Sequence, residues 1–319
     1  LSMLAIEPKV LLLDEPTSYL DATTANRLFE QLDTLSRDHG WIVLVIEHDR
    51  RRLSGFADRF LNLAGGHLES DGPMGALPPP CHTAEDGLHP LPRLSRGDAG
   101  EPLLDVSGVS FGYCKGETAL ADIDLSVAPG ECVALMGPNG SGKSTLLRLI
   151  KGLSKPASGK IRLNRGLACG RDVGLMLQNP EEQIFAHTVA AECGYWLTNL
   201  GVPAGELAER VRQALSRLGL GNMLDRAPFT LSFGEKRRLC LASILVADPT
   251  VLCLDEPTTG LDDTNMGVMA AMVRGQAASG KAVLVATHEE DFVDMTATRI
   301  IRLENGHVVS DQPTNRGTA

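Results

Sequence analysis

The sequence predicts an α/β fold built on a parallel sheet, and three observations predict it. Apolar runs of strand length recur along the chain: "VLLL" at 10–13, "WIVLVI" at 41–46, "CVALM" at 132–136 and "VLCL" at 251–254. Apolar residues make up 43% of the chain and aromatic residues only 4%, which suits Val/Leu/Ala-rich sheets better than an aromatic-rich β sandwich. A glycine-rich loop, "GPNGSGKST" at 137–145, follows one of these runs and leads into "LLRLI" at 146–150, a segment with an apolar helical face.

The bulk numbers narrow the class. The 319 residues suffice for one large or two ordinary domains. Thirty basic residues against forty acidic ones give a net charge of −10, which argues against a surface built to hold nucleic acid. No nucleic-acid partner is expected. The seven cysteines form no CxxC pair, and Cys132 and Cys253 read as small core residues of strands. Such a set fits a reducing cytoplasm. No apolar run approaches the roughly 20 residues needed to span a bilayer. The first residue is Leu rather than Met, which suggests a fragment.

"VLLLDEPTSYLD" (10–21) recurs as "VLCLDEPTTGLD" (251–262). Asp14 maps to Asp255 and Asp21 to Asp262, each 241 residues on, and His48 maps to His288, 240 on. "LNLAGGHLES" (61–70) matches "IRLENGHVVS" (301–310) with the same 240-residue shift. An offset that changes by a single residue over this span marks an internal repeat. Residues 1–72 form the first, partial copy and 101–312 the complete one. Residues 73–100, rich in Pro and Gly, read as a flexible linker, and 313–319 as a tail. Cys81, His82 and His89 in the linker match no metal-ligand spacing. Residues 101 to about 242 have no counterpart in the first copy, so a chain cut from a longer tandem protein is expected. "WIVLVI" is apolar on both faces, as a central parallel strand should be, and would be left with an unpaired edge.

The complete copy carries the chemistry. "GPNGSGKST" fits GxxxxGK[ST], in which backbone N–H groups turn inward around phosphates. The loop comprises Gly137, Pro138, Asn139, Gly140, Ser141, Gly142, Lys143, Ser144 and Thr145. Lys143 is placed to reach the β- and γ-phosphates of ATP and Ser144 to ligate Mg²⁺. "TVLCLDEP" (250–257) supplies Asp255 for the metal ion and Glu256 as general base for the attacking water. "LSFGEKRR" (231–238) places Ser232 and Gly234 at a helix start, a site for a γ-phosphate. Taken alone, that stretch is an N-capped helix.

This set resembles the ATP-binding cassette family, the motor subunits of ABC transporters. The resemblance covers 101–312 in full and 1–72 in part. It implies a P-loop NTPase fold with a RecA-like parallel core, an antiparallel β subdomain and an α-helical subdomain, preceded by part of a second cassette. It implies further roles for four residues. Tyr113 resembles the aromatic that stacks on adenine, with Phe111 as the competing ring. Gln178 resembles the Q-loop glutamine near Mg²⁺ and the water. Asp262 is similar to the D-loop aspartate, and His288 to the switch histidine at the γ-phosphate. Phe233 departs from the family pattern, which has glycine there. "QNPEEQIFAHTV" (178–189) further resembles the Q-loops of cobalt/nickel and energy-coupling-factor importers. Tyr195 and Trp196 in "ECGYWLTNLGV" either line a groove for a membrane partner or pack a subdomain core.

The implied function is the ATP-hydrolysing motor of an importer for a metal ion or vitamin, on the cytoplasmic face of the membrane. Its implied partners are transmembrane subunits and a second cassette, from the same or a longer chain. Two cassettes of the family pair head to tail, so the partial copy here would leave one chain unable to complete a site. The competing readings are a soluble tandem cassette acting on ribosomes or DNA, and a non-catalytic remnant. The Pro/Gly linker and acidic balance favour transport.

Overall fold

Residues 8–17, 20, 22–47, 53, 55–64, 66–76, 101–114, 116–261 and 263–314 are described in the computed structural model. They fall into two units, one built mainly from residues 1–83 and one mainly from 84–319.

In the first unit, β1 (Val10–Asp14) pairs in parallel with β2 (Ile42–Ile46) through the crossover helix α1 (Ala22–His39). The strands β3 (Arg59–Ala64) and β4 (His67–Pro73) form a separate antiparallel hairpin. Leu11, Phe29 and Leu32 make the small core, with Leu13 and Val45 packed on it. On the other face, Val10, Leu12, Ile42, Leu44 and Ile46 are exposed. The both-sided apolar pattern of "WIVLVI" is therefore buried on one side only. The unit also extends past the expected boundary at 72. β4 runs through Pro73, and Met74 N–H donates to the Asp58 carbonyl at 3.0 Å. A short 3₁₀ turn continues to Ala76. Residues 77–100, with Cys81, His82 and His89, lie outside the described residues.

The second unit opens with β5 (Leu104–Phe111), β6 (Leu120–Val127) and β7 (Cys132–Met136), followed by α2 (Lys143–Lys151) and β8 (Ser158–Leu163). Then come α3 (Cys169–Asp172), β9 (Val173–Met176), α4 (Val189–Asn199), α5 (Ala204–Arg217) and α6 (Phe233–Leu245). The chain continues with β10 (Val251–Asp255), α7 (Asp263–Ala278), β11 (Ala282–Ala286) and α8 (Glu290–Thr296), and ends on β12 (Arg299–Glu304) and β13 (His307–Pro313). Thr314 N–H still bonds the Thr298 carbonyl at 3.0 Å, so order passes the expected end at 312.

Six of these strands form one sheet in the order β13-β12-β7-β11-β10-β9, parallel except for β13. Every residue of β7, β10 and β11 is buried, as expected of central parallel strands covered on both faces. A three-stranded antiparallel sheet, β6-β5-β8, shares the main core with α2. Helices α4, α5 and α6 pack on one another as a third layer. Thr188 starts α4, its hydroxyl accepting from Ala191 N–H, so this helix begins before the expected "ECGYWL" segment.

Gly174 shows how tightly β9 is held. A Cβ there would sit 2.4 Å from Ile244 Cγ2 and 3.0 Å from Pro249 Cγ. Overpacking of this kind costs about 1–3 kcal/mol. Gly174→Ala is therefore expected to lower stability by that amount, read as a shift in the denaturant midpoint with unchanged slope.

The internal repeat persists in strand register. Val10 faces Ile42 and Asp14 faces Ile46, just as Val251 faces Ala282 and Asp255 faces Ala286. Both hairpins carry an irregularity at the same place, between Asn62 and Leu63 and between Arg302 and Leu303. Arg59 pairs with Asp71 as Arg299 pairs with Asp311. Four cysteines of the second unit, Cys132, Cys193, Cys240 and Cys253, are buried, and burial pushes each thiol up to about 12.

Candidate functional site

In an open parallel sheet, ligands collect beyond the carboxyl ends of the strands. Here β7, β11 and β10 are neighbours, so the segments that follow them are brought side by side. The glycine loop follows β7, Glu256 follows β10 and His288 follows β11.

The loop is shaped by glycines that no other residue replaces without strain. Gly137 has φ 148°, and a Cβ would meet the Leu303 carbonyl O at 2.1 Å. Gly142, the N-cap of α2, has φ 101° and would meet Leu120 Cδ2 at 2.5 Å. Pro138, Asn139 and Gly140 are exposed at the tip, whereas Ser141, Lys143 and Thr145 are buried. The Lys143 ammonium donates to the carbonyls of Gly137 at 2.8 Å and Pro138 at 3.1 Å. The Ser141 hydroxyl is buried with no hydrogen-bond partner. An orphaned donor, a lysine and a helix N-terminus in one concave loop fit a phosphate chain.

Ser144 Oγ donates to Asp255 Oδ1 at 3.0 Å. Burial pushes the Asp255 carboxyl up to about 6, with Glu256 adding to the rise and the Ser144 hydrogen bond and Lys143 opposing it. A buried carboxylate beside a hydroxyl is a hard-oxygen pair suited to Mg²⁺, whose charge would favour the ionised form. Among the described residues, no cluster of three or more His, Cys, Asp or Glu side chains could hold a metal ion alone. The hard-oxygen reading therefore needs phosphate oxygens to complete the shell.

Glu256 sits at φ 46°, sparsely populated for a non-glycine residue, and its N–H bonds the Ala286 carbonyl at 2.8 Å. Glu15 repeats this with φ 44° and a 2.9 Å bond to the Ile46 carbonyl. The Glu256 side chain is buried, and its Oε2 lies 3.0 Å from His288 Nδ1. In the tautomer that carries its proton on Nδ1, the His288 ring donates to this oxygen. Gln178 follows β9 and is half-buried, with its carbonyl O taken by Arg237 at 2.8 Å.

Of the two candidate aromatics, Tyr113 is the exposed one, at 60%. Its hydroxyl shares a hydrogen bond with Thr145 Oγ1 at 3.0 Å, and its ring meets Phe111 edge to face at 5.0 Å. Phe111 packs on the main core. Ser232 caps α6 in a reciprocal capping box with Glu235, which receives the Ser232 N–H at 2.7 Å. That backbone bond holds the Glu235 carboxyl below its usual range. The start of α6 therefore already carries a carboxylate, a feature the motif reading did not include. Asp262, and likewise Asp21 and His48 of the first unit, lie outside the described residues.

Tyr195 and Trp196 separate clearly. Tyr195 is exposed and stacks edge-on with exposed Phe185 at 4.6 Å. Trp196 is half-buried, with the Lys151 ammonium 4.6 Å from its ring centroid. Lys151 also donates to the carbonyls of Cys169 and Val173, tying the end of α2 to α3 and β9. Motif reading also missed buried Glu192, which accepts from the N–H groups of Phe185 and Ala186 at 2.9 and 2.7 Å. The sequence signal for it was available, an acidic residue in the first turn of a helix.

The family described as ABC transporter matches residues 120–259. An ABC transporter ATP-binding protein of Gloeobacter violaceus is 41% identical over 225 residues, 68% of this chain and 91% of that protein. A Bifidobacterium longum protein of the same description is 33% identical over 94% of this chain and 45% of its own length. A Bacillus subtilis protein named for HMP/thiamine import, YkoD, is 33% identical over 97% of this chain and 63% of its own length. This chain thus spans less than two thirds of those two relatives. Among solved structures, cbiO1 of Clostridium perfringens, described as part of the ABC transporter complex cbiONQ, has a TM-score of 0.59 and 33% identity. That likeness covers 67% of this chain and 89% of cbiO1.

Proposed function

Because the chain belongs to the ABC transporter ATP-binding proteins and carries their ATPase fold, we propose that it is the motor of an importer for a metal ion or vitamin. The observation that carries the motor reading is the convergence of three groups beyond β7, β10 and β11. These are Lys143 on the glycine loop, Ser144 with Asp255, and Glu256 with His288.

In this reading Lys143 exchanges two backbone carbonyls for phosphate oxygens of ATP. Ser144, Asp255 and Gln178 would hold Mg²⁺, which supplies charge neutralisation at the phosphates. Glu256 takes the proton of the attacking water as its oxygen bonds to the γ-phosphorus, and the bond to the ADP oxygen breaks. His288 orients the Glu256 carboxylate through Nδ1. Tyr113 offers an exposed ring to the adenine. Ser232 and Gly234 at the start of α6 serve the nucleotide of a second cassette. Residues 1–76 are read as the closing part of another cassette, supported by the shared strand registers and by Glu15 standing as Glu256 does.

The import reading rests on the resemblance of "QNPEEQIFAHTV" and on the names of two similar proteins, one for HMP/thiamine import and one from the cbiONQ complex. No helix among the described residues is long and apolar enough to cross a membrane. Contact with separate transmembrane subunits at the cytoplasmic face is part of the proposal, on the same resemblance and names. The exposed Phe185–Tyr195 pair is its docking point. Tyr195→Glu is expected to cut co-purification with the membrane subunit at least fivefold while ATP affinity stays unchanged, because a charge placed in an apolar contact is not repaid. Normal complex yield would count against docking at this surface.

A further inference from the structure

Arg237 stands in the second turn of α6 and is fully buried. Its guanidinium donates through Nη1 to the carbonyl O of Glu256 and through Nη2 to the carbonyl O of Gln178. Its Cζ lies 5.2 Å from the ring centroid of Phe233, four residues earlier on the same helix. Three segments therefore meet on one cation: the start of α6, the turn after β10 and the loop after β9. Two of them carry groups assigned to hydrolysis, the Glu256 carboxylate for the water and the Gln178 amide for Mg²⁺.

The geometry is specific to a guanidinium. Its donors are fixed in a planar fork and do not deprotonate, so it can bond two carbonyls in different directions at once. A lysine keeps the charge but not the fork. The carbonyl that Arg237 holds at Glu256 belongs to a residue in the left-handed region, where a non-glycine backbone needs outside support. The aromatic face of Phe233 packs against the guanidinium. This gives a physical role to the residue that departs from the glycine of the family pattern.

We infer that Arg237, seated on Phe233, is a positioning residue for hydrolysis: it ties the α6 start to the backbones of Glu256 and Gln178. The inference rests on the ATPase reading above. Movement of α6 against a partner's nucleotide is then passed directly to the hydrolytic carboxylate. The bridge ends on the backbones of Glu256 and Gln178, so its loss is expected to fall on turnover more than on ATP binding.

The test compares wild type with Arg237→Lys and Phe233→Leu in the 319-residue chain, with two readouts. The first is steady-state phosphate release against ATP concentration. Arg237→Lys is expected to lower kcat at least tenfold with KM within threefold, and Phe233→Leu to lower kcat by twofold to threefold. The second is amide hydrogen exchange without nucleotide. Residues 178–184 and 256–259 are expected to exchange at least tenfold faster in Arg237→Lys, while β7 and β11 keep wild-type protection. Wild-type kcat in Arg237→Lys, or unchanged exchange in both loops, overturns the inference while leaving the ATPase reading standing. Absence of turnover in wild type counts against the ATPase reading itself and removes the catalytic role, whereas the exchange data still judge the bridge.

Discussion

Glu256→Gln is expected to slow ATP hydrolysis by about 10²–10⁴-fold and to leave ATP affinity unchanged, the usual worth of a positioned general base. The substitution is nearly isosteric. The amide oxygen can still accept from His288 Nδ1, which lies 3.0 Å from Glu256 Oε2, so the local geometry survives. What is lost is the capacity to take a proton from water. Without that step, the ATP-bound paired state should outlive its normal lifetime and accumulate. Phosphate release measured beside an ATP titration separates the two effects. A variant with wild-type turnover would show that the proton goes elsewhere, whereas weakened binding would mean that Glu256 supports the loop rather than the water.

Lys143→Ala carries the second large effect. The Lys143 ammonium is 6% exposed and bonded to the carbonyls of Gly137 and Pro138. Removing a charge-assisted contact to phosphate costs about 1.5–3 kcal/mol, roughly tenfold to a hundredfold in affinity. The two carbonyls would also lose their donor, which loosens the loop and adds to the loss. The measurement is ATP titration by calorimetry or fluorescence. Unchanged affinity would remove the phosphate assignment from the loop.

The core strands and the shape of the glycine loop were legible because each is encoded locally. "CVALM" becomes β7 residue for residue, and the apolar run "VLCL" becomes β10 with Asp255 at its end. The loop "GPNGSGKST" carries its geometry in its glycines, and the sequence spacing of the repeat reappears as matched strand registers. Relations between distant segments were not legible. Arg237 reads as the middle of three adjacent basic residues on a helix, 236–238, and nothing local distinguishes it from its neighbour Arg238, which instead bonds Asn265. Only the packing of α6 against two strand ends makes it a bridge. Whether Tyr195 and Trp196 line a groove or pack a core was equally closed to pattern reading. It depends on Lys151 at the end of α2 reaching one ring and leaving the other bare. The first unit misled in the opposite sense: "WIVLVI" reads as buried on both sides, yet Ile42, Leu44 and Ile46 are exposed. An apolar pattern states what a strand can bury, and the neighbours decide how much it does.

The buried cysteines give the second unit an internal gauge of its own integrity. Alkylating reagents attack the thiolate, and a thiol held at about 12 is ionised in about one molecule in ten thousand at pH 8. Cys132 lies on β7 and Cys253 on β10, the strands that launch the phosphate loop and the hydrolytic carboxylate. Cys193 and Cys240 lie on α4 and α6. Cys114 is exposed to reagent. Modification therefore divides into a prompt class at the surface and a slow class governed by how often the sheet or the helical layer opens. The slow class keeps separate time for each, since two of its members sit in strands and two in helices.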